Sequence, residues 1–124
     1  MRRALAALAA AVVVAAQAML PAAAQSVAAG TGASIRALDR LSGELTDFDL
    51  RAGAQVSLDR LNIALVECRY PVDNPAGDAF AFLLIDDADS GSRLFEGWMV
   101  ASSPALNPFD HMRYDVWVIR CTSS

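Results

Sequence analysis

Residues 79–85, Ala-Phe-Ala-Phe-Leu-Leu-Ile, form an uninterrupted apolar run that is bounded by turn-forming residues on both sides. A run of this kind suits a strand that is buried on both faces, and we expect it at the centre of a sheet. Residues 72–78, with two Asp, an Asn, a Pro and a Gly, predict a surface loop. Residues 86–92, with three Asp and a Ser-Gly-Ser sequence, predict a solvated hairpin turn.

The same pattern continues on both sides of this run, with short apolar segments separated by turn residues at intervals of about ten. No stretch keeps a helical period for three turns. We therefore predict an all-β domain, a small antiparallel sandwich or barrel of about seven short strands. The predicted strands cover residues 35–41, 44–50, 55–58, 62–70, 79–85, 94–101 and 113–121. One short helical turn is expected at Ser103-Pro104, ended by Pro108.

Two cysteines, Cys68 and Cys121, predict one disulfide, because an even cysteine count in an exported chain indicates a bond before metal ligands. Strict alternation places Cys68 on the face of Ala64 and Val66. In the last strand, it places Cys121 with Trp117 and Ile119, in an apolar layer. Trp98 and Trp117 lie among aliphatic neighbours, which favours core positions for both.

The first 24 residues have the features of an export signal. Arg2 and Arg3 give a positive start, residues 4–16 carry no charge, and Ala22–Ala24 offers the small residues of a cleavage site. We predict a signal peptide over 1–24, a flexible lead-in over 25–34 and one β domain over 35–124. The predicted location is the periplasm, with no membrane span after cleavage. A membrane anchor is disfavoured because Gln17 and Pro21 interrupt the apolar stretch.

Without residues 1–24, the chain contains eight arginines and fourteen acidic residues, which gives a formal charge of −6. An acidic chain is a poor match for phosphate backbones, so nucleic acid is not an expected partner. His111 is the only histidine. One histidine, two cysteines and scattered carboxylates do not provide a good set of ligands for a metal ion. The acidic turn over 86–92 has too few oxygen ligands at fixed offsets for calcium. We expect no metal and no cofactor.

The densest group of functional side chains lies between Trp98 and Trp117. It comprises Ser102, Ser103, Asp110, His111, Tyr114 and Asp115. A catalytic triad of serine, histidine and aspartate is one interpretation, but the glycines of a nucleophile elbow are missing around both serines. Capping by a serine and loop ordering by His111 are the structural interpretation.

Several strings in the chain resemble a family of small exported alphaproteobacterial proteins, known as domain of unknown function 2155. They are 97–106 (GWMVASSPAL), His111, 114–118 (YDVWV) and Cys121, with 38–43, Arg60-Leu61 and Cys68-Arg69 upstream. The chain departs from the family at Met112 and Arg113, where Pro and Val are usual, and in a shorter loop after Cys68. The resemblance implies an exported domain and its architecture, and it supplies no activity.

Three hypotheses follow for the function. The first is a periplasmic module that binds an envelope protein or another envelope component and catalyses nothing, through a surface formed by Trp98, Ser102, Ser103, His111, Tyr114 and Asp115. The second is a small periplasmic serine hydrolase that uses Ser102 or Ser103 with His111 and Asp115. The third is a structural envelope protein in which this group of side chains only stabilises the fold.

Overall fold

The computed structural model describes residues 26–123, and the predicted signal peptide lies outside the described residues. The described chain is built from strands and contains no helix. The strands are β1 Val27–Ala29, β2 Gly32–Asp39, β3 Leu45–Arg51, β4 Gln55–Leu58, β5 Leu61–Pro71, β6 Phe80–Asp87, β7 Arg93–Val100 and β8 Tyr114–Thr122. The prediction of an all-β fold is confirmed, with eight strands in place of about seven.

The strands form two antiparallel sheets. The larger sheet has the order β1-β5-β6-β7, and β4 also pairs with β5; the smaller sheet has the order β3-β2-β8. Within residues 26–123 the two sheets do not join into a closed barrel, so the architecture is a sandwich. The central position predicted for residues 79–85 is confirmed, because β6 pairs with β5 on one side and β7 on the other.

The core lies between the two sheets and draws alternate residues from each. Most of the largest buried aliphatic side chains come from the five-stranded sheet, and the three-stranded sheet adds Ile35, Val118 and Tyr114. The fully buried members with the largest side chains are Ile35, Leu61, Ile63, Leu65, Leu83, Ile85, Val118 and Cys68.

The helical turn predicted at Ser103-Pro104 is wrong. Residues 101–110 form hydrogen-bonded turns without a helix, for example through the Leu106 N–H that donates to the Ser103 carbonyl oxygen at 3.0 Å. Pro108 has no N–H to donate to the Pro104 carbonyl oxygen, so a helical ladder begun at Pro104 could not continue.

The prediction of a flexible lead-in over residues 25–34 is wrong for most of the segment. Residues 27–29 form β1, and residues 32–34 begin β2, where their side chains are buried. Small residues occupy these positions because the backbones of neighbouring strands approach them closely. A Cβ on Gly30 would lie 2.7 Å from the Thr122 carbonyl oxygen, and one on Gly32 would lie 2.1 Å from that of Leu50. The composition indicated flexibility, whereas the fold uses these residues for close backbone approach.

The disulfide between Cys68 and Cys121 is confirmed, with the two Cα atoms 5.7 Å apart. The predicted faces are wrong, because each strand has a bulge two residues before its cysteine. Leu65 pairs with Leu83 and Glu67 with Phe82, which leaves Val66 as an extra residue. Each bulge turns the following cysteine to the opposite face, and both cysteines are therefore buried in the core.

The bulge of β8 lies at Ile119, since Val118 pairs with Ile35 and Arg120 with Ser34. Cys121 consequently shares the core face with Val116 and Val118, and Trp117 lies on the outer face of the three-stranded sheet. The disulfide joins β5 of one sheet to β8 of the other. No helix among the described residues has the length and apolarity needed to cross a membrane.

Candidate functional site

The two faces of β6 differ in how they are covered. Ala81, Leu83 and Ile85 point into the core and are fully buried, whereas Phe80, Phe82 and Leu84 point outward and remain partly exposed. The prediction of a strand buried on both faces is wrong, because the five-stranded sheet has a second sheet on one side only. Within the described residues no layer covers its other side.

Cross-strand pairing extends this outer row into a surface. Phe80 lies opposite Arg69, and Phe82 lies opposite Trp98. Val27 from β1 is 42% exposed, and together with Arg69, Phe80 and Trp98 it lines a shallow depression of about 280 Å³. We call Val27, Arg69, Phe80, Phe82 and Trp98 the aromatic face. Sequence reasoning identified only Trp98 among them.

The side chains of the aromatic face are held in place by one another. The rings of Phe82 and Trp98 meet edge to face with their centroids 5.2 Å apart. The guanidinium carbon of Arg69 lies 5.1 Å from the centre of the Trp98 ring, and its Nη2 lies 2.9 Å from Oε1 of Glu67. The indole therefore contacts both an aromatic ring and a paired cation.

On the outer surface of the five-stranded sheet, the types of side chain differ between the two ends of the strands. At the hairpin that joins β6 to β7, Arg93 forms ion pairs with Asp86 and Glu96. At the opposite end the surface consists of the aromatic face, near the Ser26 carbonyl oxygen, which accepts the Val72 N–H at 3.2 Å. The aromatic side chains, with the Arg69–Glu67 ion pair, thus lie at the end where the chain enters β1, and the ion pairs of Arg93 lie at the other end.

The edge of the sheet beside Trp98 is closed by a side chain. The carbonyl oxygen of Trp98 accepts a hydrogen bond from Nδ2 of Asn107 at 3.0 Å. Because β7 is the last strand in the sheet order, this oxygen would otherwise need water or another strand. The backbone at this position can therefore lose water without leaving the carbonyl unsatisfied.

Tyr114 belongs to a second, separate cluster beneath the loop over 101–113. It is 3% exposed, and its hydroxyl donates to Asp59. Burial raises the pKa of the Tyr114 hydroxyl, and the Asp59 carboxylate raises it further. Nη2 of Arg113 lies 3.2 Å from Asp59 Oδ2 and 3.0 Å from Asp39 Oδ2. The hydrogen bond from Arg113 lowers the pKa of Asp39 to about 2.

His111 orders this loop, as the structural interpretation predicted. Its Nδ1 accepts the backbone N–H groups of Arg113 at 3.0 Å and Tyr114 at 3.2 Å. Its ring stacks on that of Phe109, with the centroids 5.4 Å apart. Both bonds use the in-plane lone pair of Nδ1, so this nitrogen is engaged by the backbone of the loop.

Among the residues of the hydrolase hypothesis, Ser102 and Asp115 have partners outside the proposed triad. The Ser102 hydroxyl donates to Oδ2 of Asp78 at 2.6 Å, and its N–H donates to Oδ1 at 3.0 Å, which ties the end of β7 to the start of β6. Asp115 lies 3.4 Å from Nη2 of Arg40, and Ser103 lies exposed in a turn. Among residues 26–123, no hydrogen bond joins His111 to either serine or to Asp115.

The surface predicted from the sequence is thus divided. Trp98 belongs to the outer side of the five-stranded sheet, whereas the His111 and Tyr114 rings, 5.3 Å apart, belong to the loop cluster. Trp117 lies opposite Arg36 on the outer side of the other sheet, and it is partly exposed. The core positions predicted for both tryptophans are wrong.

The acidic turn over 86–92 has a structural explanation. Oδ1 of Asp87 accepts the N–H groups of Asp89 and Ser90 at 2.9 Å each, and Asp89 pairs with Arg60. No group of three or more His, Cys, Asp or Glu within the described part of the chain is arranged to hold a metal ion.

Comparison with known proteins places the chain in a family. Residues 33–121 match the family described as uncharacterized proteins conserved in bacteria, domain of unknown function 2155. The uncharacterized protein RP359 of Rickettsia prowazekii (strain Madrid E) is 28% identical over 94 residues. That similarity covers 73% of this chain and 61% of the Rickettsia protein, so the chain spans less than two thirds of that relative's length.

No solved structure matches the chain. The family match extends from β2 into β8, and it includes both cysteines of the disulfide and most of the aromatic face. The resemblance noted from the GWMVASSP and YDVWV strings is therefore confirmed. This chain belongs to the bacterial family of domain of unknown function 2155.

Proposed function

We propose that this protein is an exported interaction module that binds another component of the bacterial cell envelope through its aromatic face. The observation that carries the proposal is the outer row of β6, where Phe80 and Phe82 remain partly exposed beside Trp98. Contiguous apolar surface of this kind is unfavourable in water, and it marks interaction sites on soluble domains.

The composition of the face suits recognition. Tryptophan and arginine are enriched among the residues that dominate binding energy, and here Arg69 is stacked on Trp98. All members project from strands of one sheet, so that binding orders few side chains that were free before. A rigid face of this type needs neither a deep pocket nor a catalytic group to be functional.

The proposed location is the periplasm. The export signal predicted over residues 1–24 supports it, and so does the disulfide, because such bonds persist in oxidising compartments. The proposed partner is therefore an envelope protein or another envelope component that the chain meets after export.

The test is photocrosslinking in intact cells, with a photoreactive residue in place of Phe82. The matched control carries the same residue in place of Trp117, which is also aromatic, partly exposed and on the outer side of a sheet. Tyr114 is unsuited to this purpose because it is 3% exposed. We expect a specific crosslinked species from position 82 that is absent from position 117. No product at position 82, or the same products at both positions, would contradict the proposal.

A further inference from the structure

We infer that residues 26–31 act as a strap that controls the access of thiols to the Cys68–Cys121 disulfide. The bond is reduced and re-formed through detachment of this strap, while the two sheets remain folded. The inference goes beyond the proposed function, because it concerns the disulfide and needs no binding partner.

The strap crosses between the same two strands that the disulfide joins. Residues 27–29 pair with β5 directly after Cys68. The Gly30 N–H donates to the Cys68 carbonyl oxygen at 2.7 Å, and the Thr31 N–H donates to the Thr122 carbonyl oxygen of β8 at 2.8 Å. The strap and the covalent bond therefore connect β5 to β8 side by side.

Gly30 is the residue at which the strap lies against the disulfide. A Cβ on Gly30 would lie 3.1 Å from the Cys121 Cβ and 3.4 Å from the Cys68 carbonyl oxygen. Cys68 is fully buried, and Cys121 is 7% exposed. Since a thiolate must reach a sulfur atom to attack it, reduction requires that the residues covering the bond move away.

Few apolar contacts hold the strap in place. β1 has only three residues, two of which are alanines, and its Val27 is 42% exposed. The core cluster contains no residue of the strap, all of which the structure describes. A segment with few buried apolar contacts opens at a lower free energy than the whole domain, so the strap detaches before the sheets unfold.

The reaction is thiol–disulfide exchange, and dithiothreitol serves as the probe. One thiolate of dithiothreitol attacks a cysteine sulfur, and the S–S bond breaks to release the other cysteine as a thiolate. The second thiol of dithiothreitol then attacks the mixed disulfide and closes the reagent into a cyclic disulfide. Two electrons pass to the protein, and each cysteine takes up one proton.

The strap also contributes to the aromatic face. Val27 lines the depression there with Arg69, Phe80 and Trp98, and Arg69 pairs with Ala29 of the strap. Each detachment of the strap therefore removes one wall of this depression. Access to the disulfide and the shape of the aromatic face consequently change together.

The first test compares two prolines in β1. Alternation directs the Ala28 N–H towards Tyr70 of β5 and the Ala29 N–H away from β5, at the open edge of the sheet. Ala28→Pro therefore removes a hydrogen bond to β5, whereas Ala29→Pro, its matched control, removes none. The reduction rate in dithiothreitol is measured by alkylation of the released thiols and intact mass.

We expect dithiothreitol to reduce Ala28→Pro at least about tenfold faster than the unaltered protein, as the loss of one backbone hydrogen bond implies. Ala29→Pro should stay within about twofold of the unaltered rate. Equal rates for the two variants would overturn the inference, because the attachment of the strap would then not control reduction.

The second test needs no variant, so it applies even if Ala28→Pro fails to fold. The reduction rate of the unaltered protein is measured in urea below the unfolding transition. Urea promotes an opening in proportion to the surface that the opening exposes. Detachment of the strap alone should therefore give a slope below about a third of the m-value for unfolding of the oxidised protein. A larger slope, up to the full m-value, would overturn the inference.

Discussion

Gly32 shows at the scale of one residue why a small side chain is required. It pairs with Arg51 on one side and Thr122 on the other, in the middle of the three-stranded sheet. A Cβ at this position would lie 2.1 Å from the Leu50 carbonyl oxygen and 3.0 Å from the Arg51 Cα. Both atoms belong to the backbone of β3, so the clash could be relieved only by a movement of this strand.

We therefore expect Gly32→Ala to lower the free energy of unfolding by at least about 3 kcal/mol, at the upper end of what overpacking costs. The matched control is Gly43→Ala, where a φ of 78° adds strain but no atom lies within 4 Å. That change should cost only about 1–2 kcal/mol. Urea unfolding of the two variants checks the order, and an equal loss would mean that β3 can move aside.

The ionisation of the Asp39 carboxyl affects the stability of the fold in acid. Its pKa is lowered from 3.8 to about 2 by the hydrogen bond from Arg113, with further bonds from the N–H groups of Leu41 and Ser42. A carboxyl whose pKa is lower in the folded state stabilises the fold above its unfolded pKa. This stabilisation is lost as the pH falls from about 4 to about 2.

The corresponding prediction is that Asp39→Asn makes the loss of stability between about pH 4 and about pH 2 smaller than in the unaltered protein. Asn at this position has no charge to lose, so that part of the pH dependence should disappear. Urea midpoints measured across this range test the prediction, with Asp73→Asn, in the exposed loop over 72–78, as the control. An Asp39→Asn profile parallel to that of the unaltered protein would show that Asp39 contributes nothing to it.

At the scale of elements, the bulges determine which way the cysteines point. The bulge residue of β8, Ile119, is unpaired between Val118 and Arg120. Deletion of Ile119 leaves Arg120 opposite Ser34 and Cys121 opposite Ala33, in a regular ladder with the same face inward. Deletion of Trp117 together with Ile119 leaves no extra residue to restore the register, so Arg120 turns inward and Cys121 outward.

We expect the Ile119 deletion to retain the disulfide and the double deletion of Trp117 and Ile119 to lose it. Intact mass with and without reductant, together with thiol labelling, distinguishes the two cases. A bonded double deletion, or an unbonded Ile119 deletion, would show that the register of β8 does not set the direction of Cys121.

The strands themselves were predictable because turn residues separate them clearly, as Ser42-Gly43 and Ala52-Gly53 do on either side of β3. The bulges were not, since Val66 and Ile119 are apolar, β-branched residues of the kind that is common throughout strands. An extra residue of that kind leaves no mark in the hydrophobic pattern. Only the pairing partners, which belong to distant parts of the chain, reveal where the alternation changes.

On the scale of the whole molecule, the disulfide contributes a large part of the stability. It joins residues 53 apart in the sequence and one sheet to the other. The chain-entropy model assigns about 4 kcal/mol to a loop of this length. Domains of this size have total stabilities of about 5–15 kcal/mol.

The double variant Cys68→Ala/Cys121→Ala should therefore lose about 4 kcal/mol of unfolding free energy. Reduction of the unaltered protein should give the same loss, and it should raise the intact mass by about two units as each sulfur gains a hydrogen. Urea unfolding with and without reductant tests both statements. An unaltered midpoint after complete reduction would show that packing alone holds the sheets together.

The candidate site was predictable only in part, and the reason also concerns the whole molecule. Trp98 was identified as a surface residue of interest, but Phe80 and Phe82 were assigned to an interior that the chain does not build. Whether an apolar strand is covered on one face or both depends on how many layers the fold has. That number is a tertiary property, and residues 79–85 have the same sequence in either case.

The two bulges also make formation of the disulfide depend on the correct register of β5 and β8. A one-residue slip in β5 or β8 would send one thiol outward and leave the other inside, so that the two sulfurs could not meet. Formation of the disulfide therefore requires that both strands lie in the correct register, and a misaligned chain keeps an accessible thiol that can attack another disulfide by exchange. In an oxidising compartment, the presence of the disulfide would therefore indicate that the two sheets have paired in the correct register.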